Sequence, residues 1–306
     1  MKRLPTTLGL LATTAVVAVA VSVSSPVATT LAAVKQPATP TTTSTRPSAT
    51  TTPPQTTTTT TTPPRVDPGV LAQQVVSAVQ STAPGSKVGL LVVDTSTGTT
   101  LASANASEQF YTASVVKLLI ALDLLSSQNW APDADTQARV HQMLAYSDDS
   151  IADALWDADG GNSIVSREVA RIGLTGTQPP DDETQWGETL MTAQDVAAVY
   201  HYITTAVPEP SRGLLLTALS GAAQTAADGT DQYFGIPDAL PGTSWAIKQG
   251  WMQLYTESVL NTTGLVGPNL RYALVLLGSL PAGTSTATGD AALTAGVAAL
   301  RSTVTS

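Results

Sequence analysis

Cysteine is absent from the 306 residues, and histidine occurs only twice. Without cysteine there are no disulfides, no thiol nucleophile and no lipidated cysteine, so packing alone must stabilise the fold. The two histidines, His141 and His201, both fall in helical patterns, and no G-x-S-x-G elbow accompanies them. A Ser-His-Asp triad therefore has no sequence support. Neither H-E-x-x-H nor clustered Cys/His is present, which argues against a zinc hydrolase. Asp153, Asp157 and Asp159 beside Gly160-Gly161 fail the EF-hand spacing and read as a solvated acidic helix end. No metal and no cofactor is expected. Positive charge is also scarce: residues 69–306 hold nine Lys/Arg against 22 Asp/Glu. A domain so acidic lacks the basic face that nucleic-acid binding demands.

What is present divides the chain into three. Lys2 and Arg3 precede an uncharged, mostly apolar stretch, and residues 1–34 read either as a secretory signal or as a retained membrane anchor. Both readings place the rest outside the cytoplasmic membrane. Residues 35–68 are Thr-, Pro- and Ser-rich with little to bury, so a disordered linker, open to O-glycosylation, is expected there. Residues 69–306 are long enough for one domain with a substantial core.

Periodicity in that domain predicts a helix over 70–82, stopped by Pro84-Gly85, and a hairpin from strands 87–94 and 99–103. Apolar helix 113–126 follows, then helical patterns from Thr136 to Gly176 broken at Gly160-Gly161. A polar loop spans 175–191. Thr192 is expected to cap the next helix, with Asp195 completing a capping-box variant. Another helix is predicted over 211–219, strands over 244–251, 257–267 and 271–280, and a closing helix over 290–304. This order implies an α+β fold: a five-stranded antiparallel sheet flanked by the N- and C-terminal helices, with an all-helical insert. A site is expected in the crevice between sheet and insert.

Ser114-Val-Val-Lys117 opens the apolar helix, and one turn places both side chains on the same face. A serine hydroxyl is a poor nucleophile until a base takes its proton, and a desolvated lysine can be that base. Val116, Leu118, Leu119 and Ile120 make that part of the helix apolar, which favours burial of Lys117 over snorkelling to water. Ser147-Asp148-Asp149 falls at a helix junction and Lys248-Gln249-Gly250 on the strand nearest the crevice.

In that order the three elements resemble the serine β-lactamase and penicillin-binding (D,D-peptidase) superfamily, most of all its class A type. The first matches Ser-x-x-Lys in full; the others match Ser-Asp-Asn and Lys-Thr-Gly in two of three places. The resemblance covers nearly all of 69–306. It implies Ser114 as nucleophile, Lys117 as base, Ser147 as proton relay and Lys248 as a source of positive potential. The backbone N–H groups of Ser114 and Trp251, past Gly250, would form the oxyanion hole. The substrate it implies is a β-lactam or a peptidoglycan peptide; the chain itself is expected to be a monomer.

Three departures accompany the match. Asp149 stands where the family has Asn, adding a charge that repels anions and favours protonated Lys117. Gln249 replaces the threonine whose hydroxyl would meet a substrate carboxylate. The acidic loop has no match to the class A Glu-x-x-Leu-Asn element, leaving Glu183 and Glu188 as its only glutamates and thus the possible deacylation bases. These departures suit slow turnover, or, alternatively, a non-catalytic relative binding wall peptide or a partner protein. Trp186 and Trp251 could line the crevice or pack against the insert.

Overall fold

A computed structural model describes residues 67–305, all within the compact unit Thr62–Ser306. The signal-or-anchor segment 1–34, the linker as far as residue 66, and Ser306 lie outside the described residues.

Helix α1 (Pro68–Thr82) is capped by Asp67, whose carboxylate accepts from Gly69 N. The hairpin β1 (Lys87–Asp94) and β2 (Thr99–Ala104) follows, then a short β3 (Gln109–Tyr111). A 3-10 turn (Ala113–Val116) runs into α2 (Lys117–Ser127). The insert continues through α3 (Ala134–Ala145), α4 (Asp149–Ala158) and α5 (Asn162–Ile172). Beyond the acidic loop come β4 (Leu190–Thr192), α6 (Ala193–Thr205), α7 (Ser211–Ser220) and the short α8 (Ile236–Ala239). Strands β5 (Trp245–Gln253), β6 (Glu257–Val266) and β7 (Tyr272–Pro281) precede α9 (Thr286–Ala298) and α10 (Arg301–Val304).

The expected five-stranded antiparallel sheet is present, in the order β2-β1-β7-β6-β5. Its central strands β1 and β7 read as nearly unbroken apolar runs because both faces are covered, while β6 buries Asn261, Thr262 and Thr263. Successive side chains on β7 alternate between two cores: Ala273, Val275 and Leu277 face the insert, while Leu274 and Leu276 face α1 and α9. Helix α2 is buried from Lys117 to Leu125, as a helix surrounded by other elements must be. β5 is an edge strand, and the Ser114 turn and α7 pack beside it.

Three local expectations need correction. The loop 175–191 ends in structure: β4 pairs with β3, Phe110 opposite Met191, and Gln178 bridges to Leu190. Three-residue strands are too short to show a period. Thr192 does cap α6, accepting from Asp195 N at 3.1 Å. Asp195, however, does not complete a capping box. Its buried carboxylate accepts from Thr175 N, Gly176 N and Thr177 Oγ1, and so holds the base of the acidic loop. The closing helix starts earlier than predicted, at the Ser285 cap, and breaks after Ala298.

Candidate active site

Ser114 lies in a turn anchored on both sides. Asn261, fully buried on β6, donates from Nδ2 to Tyr111 O (3.0 Å) and Thr112 O (2.9 Å), and its Oδ1 accepts from Gly278 N. Thr112 N donates to Thr189 O. Ala113 is held at φ +44°, an uncommon region for an L-residue, immediately before Ser114. Gly250 lets β5 approach: a Cβ there would lie 2.5 Å from Thr112 O and 3.2 Å from Ser114 N. The backbone of β5 and the N–H of Ser114 therefore share one small space.

The expected quartet converges. Lys117 Nζ donates to Ser114 Oγ at 2.9 Å and to Ser147 O at 2.8 Å, with Ser147 Oγ at 3.4 Å. Lys248 Nζ reaches the same Ser147 Oγ at 2.9 Å and also donates to Gln249 O. Ser147 sits at φ +52° between α3 and the Asp148 cap of α4, and this turn aims its hydroxyl between the two lysines. Neither lysine reaches solvent. Burial pushes Lys117 below the ordinary lysine value; an ion pair with the Asp149 carboxylate opposes that push without cancelling it. Lys248 is pushed well below its ordinary value by burial first and by the charge of Lys117 second. A neutral amine can accept a proton from Ser114, so the buried pair can do what an activated nucleophile requires.

A crevice of about 260 Å³ opens over Ser114, walled by Asp149, Asp153, Gln185, Trp186 and Trp251. Trp186 stands over Lys117, its ring centroid 4.8 Å from Nζ, and donates from Nε1 to Asp153 Oδ1 at 2.7 Å. Trp251 makes the matching arrangement on β5, 5.9 Å from Lys248 Nζ and donating to Asp228 Oδ2 at 3.0 Å. Burial alone would raise the Asp228 carboxyl, but hydrogen bonds from Thr230 N and Trp251 Nε1 outweigh it and hold it below the usual range.

Three sequence-derived placements are corrected. Gln249 does not face the crevice. Strand alternation puts Lys248 and Gly250 on the insert side and Gln249 on the other, where Nε2 donates to Gln232 O and Phe234 O. Glu183 is turned to α5: Oε1 accepts from Asn162 N at 3.1 Å and fills the space above Gly161, capping that helix. Glu188 closes a 3-10 turn and does not wall the crevice; its charge acts on Tyr111. The side of Lys117 nearest the loop is taken by the Trp186 ring instead of a carboxylate. Asp228 and Asn261 had no signal in sequence, since neither belongs to a motif. The histidines stand apart from Ser114 chemistry: His141 packs on Tyr146 and His201 is exposed on α6.

The model of the Beta-lactamase enzyme family matches residues 71–129, a stretch that includes the Ser114–Lys117 pair. The protein described as "Putative lipoprotein LppW" in Mycobacterium tuberculosis is 34% identical over 232 residues, covering 73% of this chain and 73% of the relative; its Mycobacterium bovis counterpart matches equally. Among solved structures, a β-lactamase from Chitinophaga pinensis superposes with a TM-score of 0.62 at 16% identity, over 76% of this chain and 98% of that one. A class A β-lactamase from Mycobacterium abscessus gives 0.62 at 19%, over 75% and 97%. A PBP-A mutant in an acyl-enzyme complex with penicillin G gives 0.61 at 18%, over 76% and 95%. At such identities these three are likenesses of fold.

Proposed function

The chain belongs to the serine β-lactamase and penicillin-binding superfamily, in the family of the mycobacterial LppW proteins, and from that premise we propose that it is an extracytoplasmic serine hydrolase forming an acyl-enzyme on Ser114. The observation that carries the reading is the 2.9 Å contact between Ser114 Oγ and a buried Lys117 whose basicity is depressed. Lys117 takes the Ser114 proton as Oγ bonds to the substrate carbonyl carbon. The oxyanion is stabilised by the N–H groups of Ser114 and Trp251. As the carbonyl–nitrogen bond breaks, the proton passes through Ser147, which Lys248 orients, to the leaving amine. A β-lactam or a cell-wall peptide amide supplies such a carbonyl.

Release of the acyl group is the slow half. Both loop glutamates lie off the crevice, and the Trp186 ring covers the approach to Lys117. The LppW relatives are described as putative lipoproteins; with no cysteine to carry a lipid here, segment 1–34 serves as signal or anchor and the tract 35–68 as spacer for the enzyme domain beyond it.

The test is to incubate the purified chain with a fluorescent penicillin and measure mass added to Ser114, with Ser114→Ala as control. A long-lived adduct confined to Ser114 is expected. The Lys117–Asp149 ion pair favours a second reading, a non-catalytic binder of wall peptide, because it opposes the neutral lysine. That reading prevails if neither penicillin nor a panel of esters and D-Ala peptides modifies Ser114.

Asp149 also sets a pH dependence. Its charge raises the Lys117 value against the lowering by burial, so Asp149→Asn lowers it further. Acylation rises with pH as Lys117 loses its proton. The variant's rising limb is therefore expected at lower pH than the parent's, with acylation severalfold faster near neutrality, where the exposed Asp149 acts through solvent screening. Single-turnover rates across pH check this; a limb unmoved or shifted upward rejects Lys117 as the base.

A further inference from the structure

The acyl donor's charge can be read from the walls of the Ser114 crevice. Asp149 and Asp153 line it, and Asp228, though not itself a wall residue, accepts from the indole N–H of the lining Trp251. Among the described residues no Lys or Arg lines the crevice; Asp149 is ion-paired with the buried Lys117, whereas Asp153 and Asp228 are held by indole N–H groups and make no salt bridge. Both lysines are buried: Lys117 donates to Ser114, Ser147 and Asp149, Lys248 donates to Ser147, and Gln249 is turned to the far face of the sheet. An anionic substrate group thus meets carboxylates without an exposed partner.

The aromatic walls are an independent observation pointing the same way. Trp186 and Trp251 each donate an indole N–H to a carboxylate, Asp153 Oδ1 and Asp228 Oδ2 respectively. Each acid is thereby fixed beside an electron-rich ring, and rings with adjacent carboxylates attract alkylammonium groups. The acidic excess of the whole chain steers in the same sense.

We propose that the crevice selects acyl donors bearing a positive charge, an alkylammonium group near the reacting carbonyl, over neutral or anionic ones. The proposal rests on the acyl-enzyme reading and names its substrate class.

Three p-nitrophenyl esters of equal chain length test it, ending in trimethylammonium, its neutral isostere tert-butyl, or carboxylate. In each, Ser114 Oγ bonds to the carbonyl carbon, p-nitrophenolate leaves with the bonding pair, and Lys117 accepts the serine proton. The readouts are the p-nitrophenolate burst and the mass added to Ser114. At low salt the ammonium ester is expected to acylate about tenfold faster than the tert-butyl ester, and the carboxylate ester slowest. High salt should compress that ratio. Asp153→Asn and Asp228→Asn keep an acceptor for each indole N–H, and each should lower the ammonium-to-tert-butyl ratio. Equal ammonium and tert-butyl rates, or a carboxylate ester that is fastest, overturn the substrate class and leave acyl transfer standing. No adduct on Ser114 from any of the three overturns the acyl-enzyme reading and this inference together.

Discussion

Lys117→Met slows acylation of Ser114 by roughly 10²–10⁴-fold, the span typical of losing a positioned proton acceptor. Methionine is close to lysine in length and suits the apolar surroundings of α2, so the fold survives the change. The losses are specific: Ser114 Oγ loses its partner at 2.9 Å, and Ser147 O loses a donor at 2.8 Å. Asp149 is not left buried, because its side chain is 57% exposed and water can replace the ion pair. Thermal unfolding should shift modestly, the cost of about 1–3 kcal/mol for the unpaired Ser147 O being offset in part because no amine is buried, while the burst rate collapses. A Lys117→Met protein that acylates within a few-fold of the parent would show that another group takes the serine proton.

Asn261→Leu is expected to destabilise the protein by about 3–5 kcal/mol, the range for breaking a buried polar network. The side chain is wholly buried, and removing its amide takes this partner from Tyr111 O and Gly278 N, while Thr112 O is left with Val115 N alone. Each such buried group costs about 1–3 kcal/mol when unpaired. The effect reaches function because the two carbonyls sit directly ahead of the Ser114 turn. The variant should unfold at markedly lower denaturant and, where still folded, acylate more slowly. A stability loss under about 1 kcal/mol would mean that Gly250 and the Thr189 contact hold the turn without Asn261.

The two residues differ in how legible they are. Lys117 is visible from sequence because the chemistry is local: three positions apart on one turn, Ser and Lys must share a face. Asn261 is one of five polar residues in the strand run ESVLNTTGLV, and only the crossing of β6 behind residues 111–112 makes it an anchor. Gln249 was legible in part. Its parity on β5 opposes that of Lys248, but Trp251 shares that parity and still reaches the crevice, so only the bonds of Gln249 to Gln232 O and Phe234 O decide its place. Glu183 and Glu188 could not be placed in advance, since an irregular loop has no period to fix its side chains.

By itself the sequence determined the class of fold, the chain order of the five main-sheet strands and the long helices, and the Ser114–Lys117 pair, because each follows from short-range periodicity and spacing. Only the tertiary structure decided that Ser147 joins two buried lysines, that an indole and no glutamate lies against Lys117, and that two aspartates line the crevice with a third bonded to its Trp251. These depend on where elements distant in the chain cross, and on burial, which sets whether a lysine holds its proton.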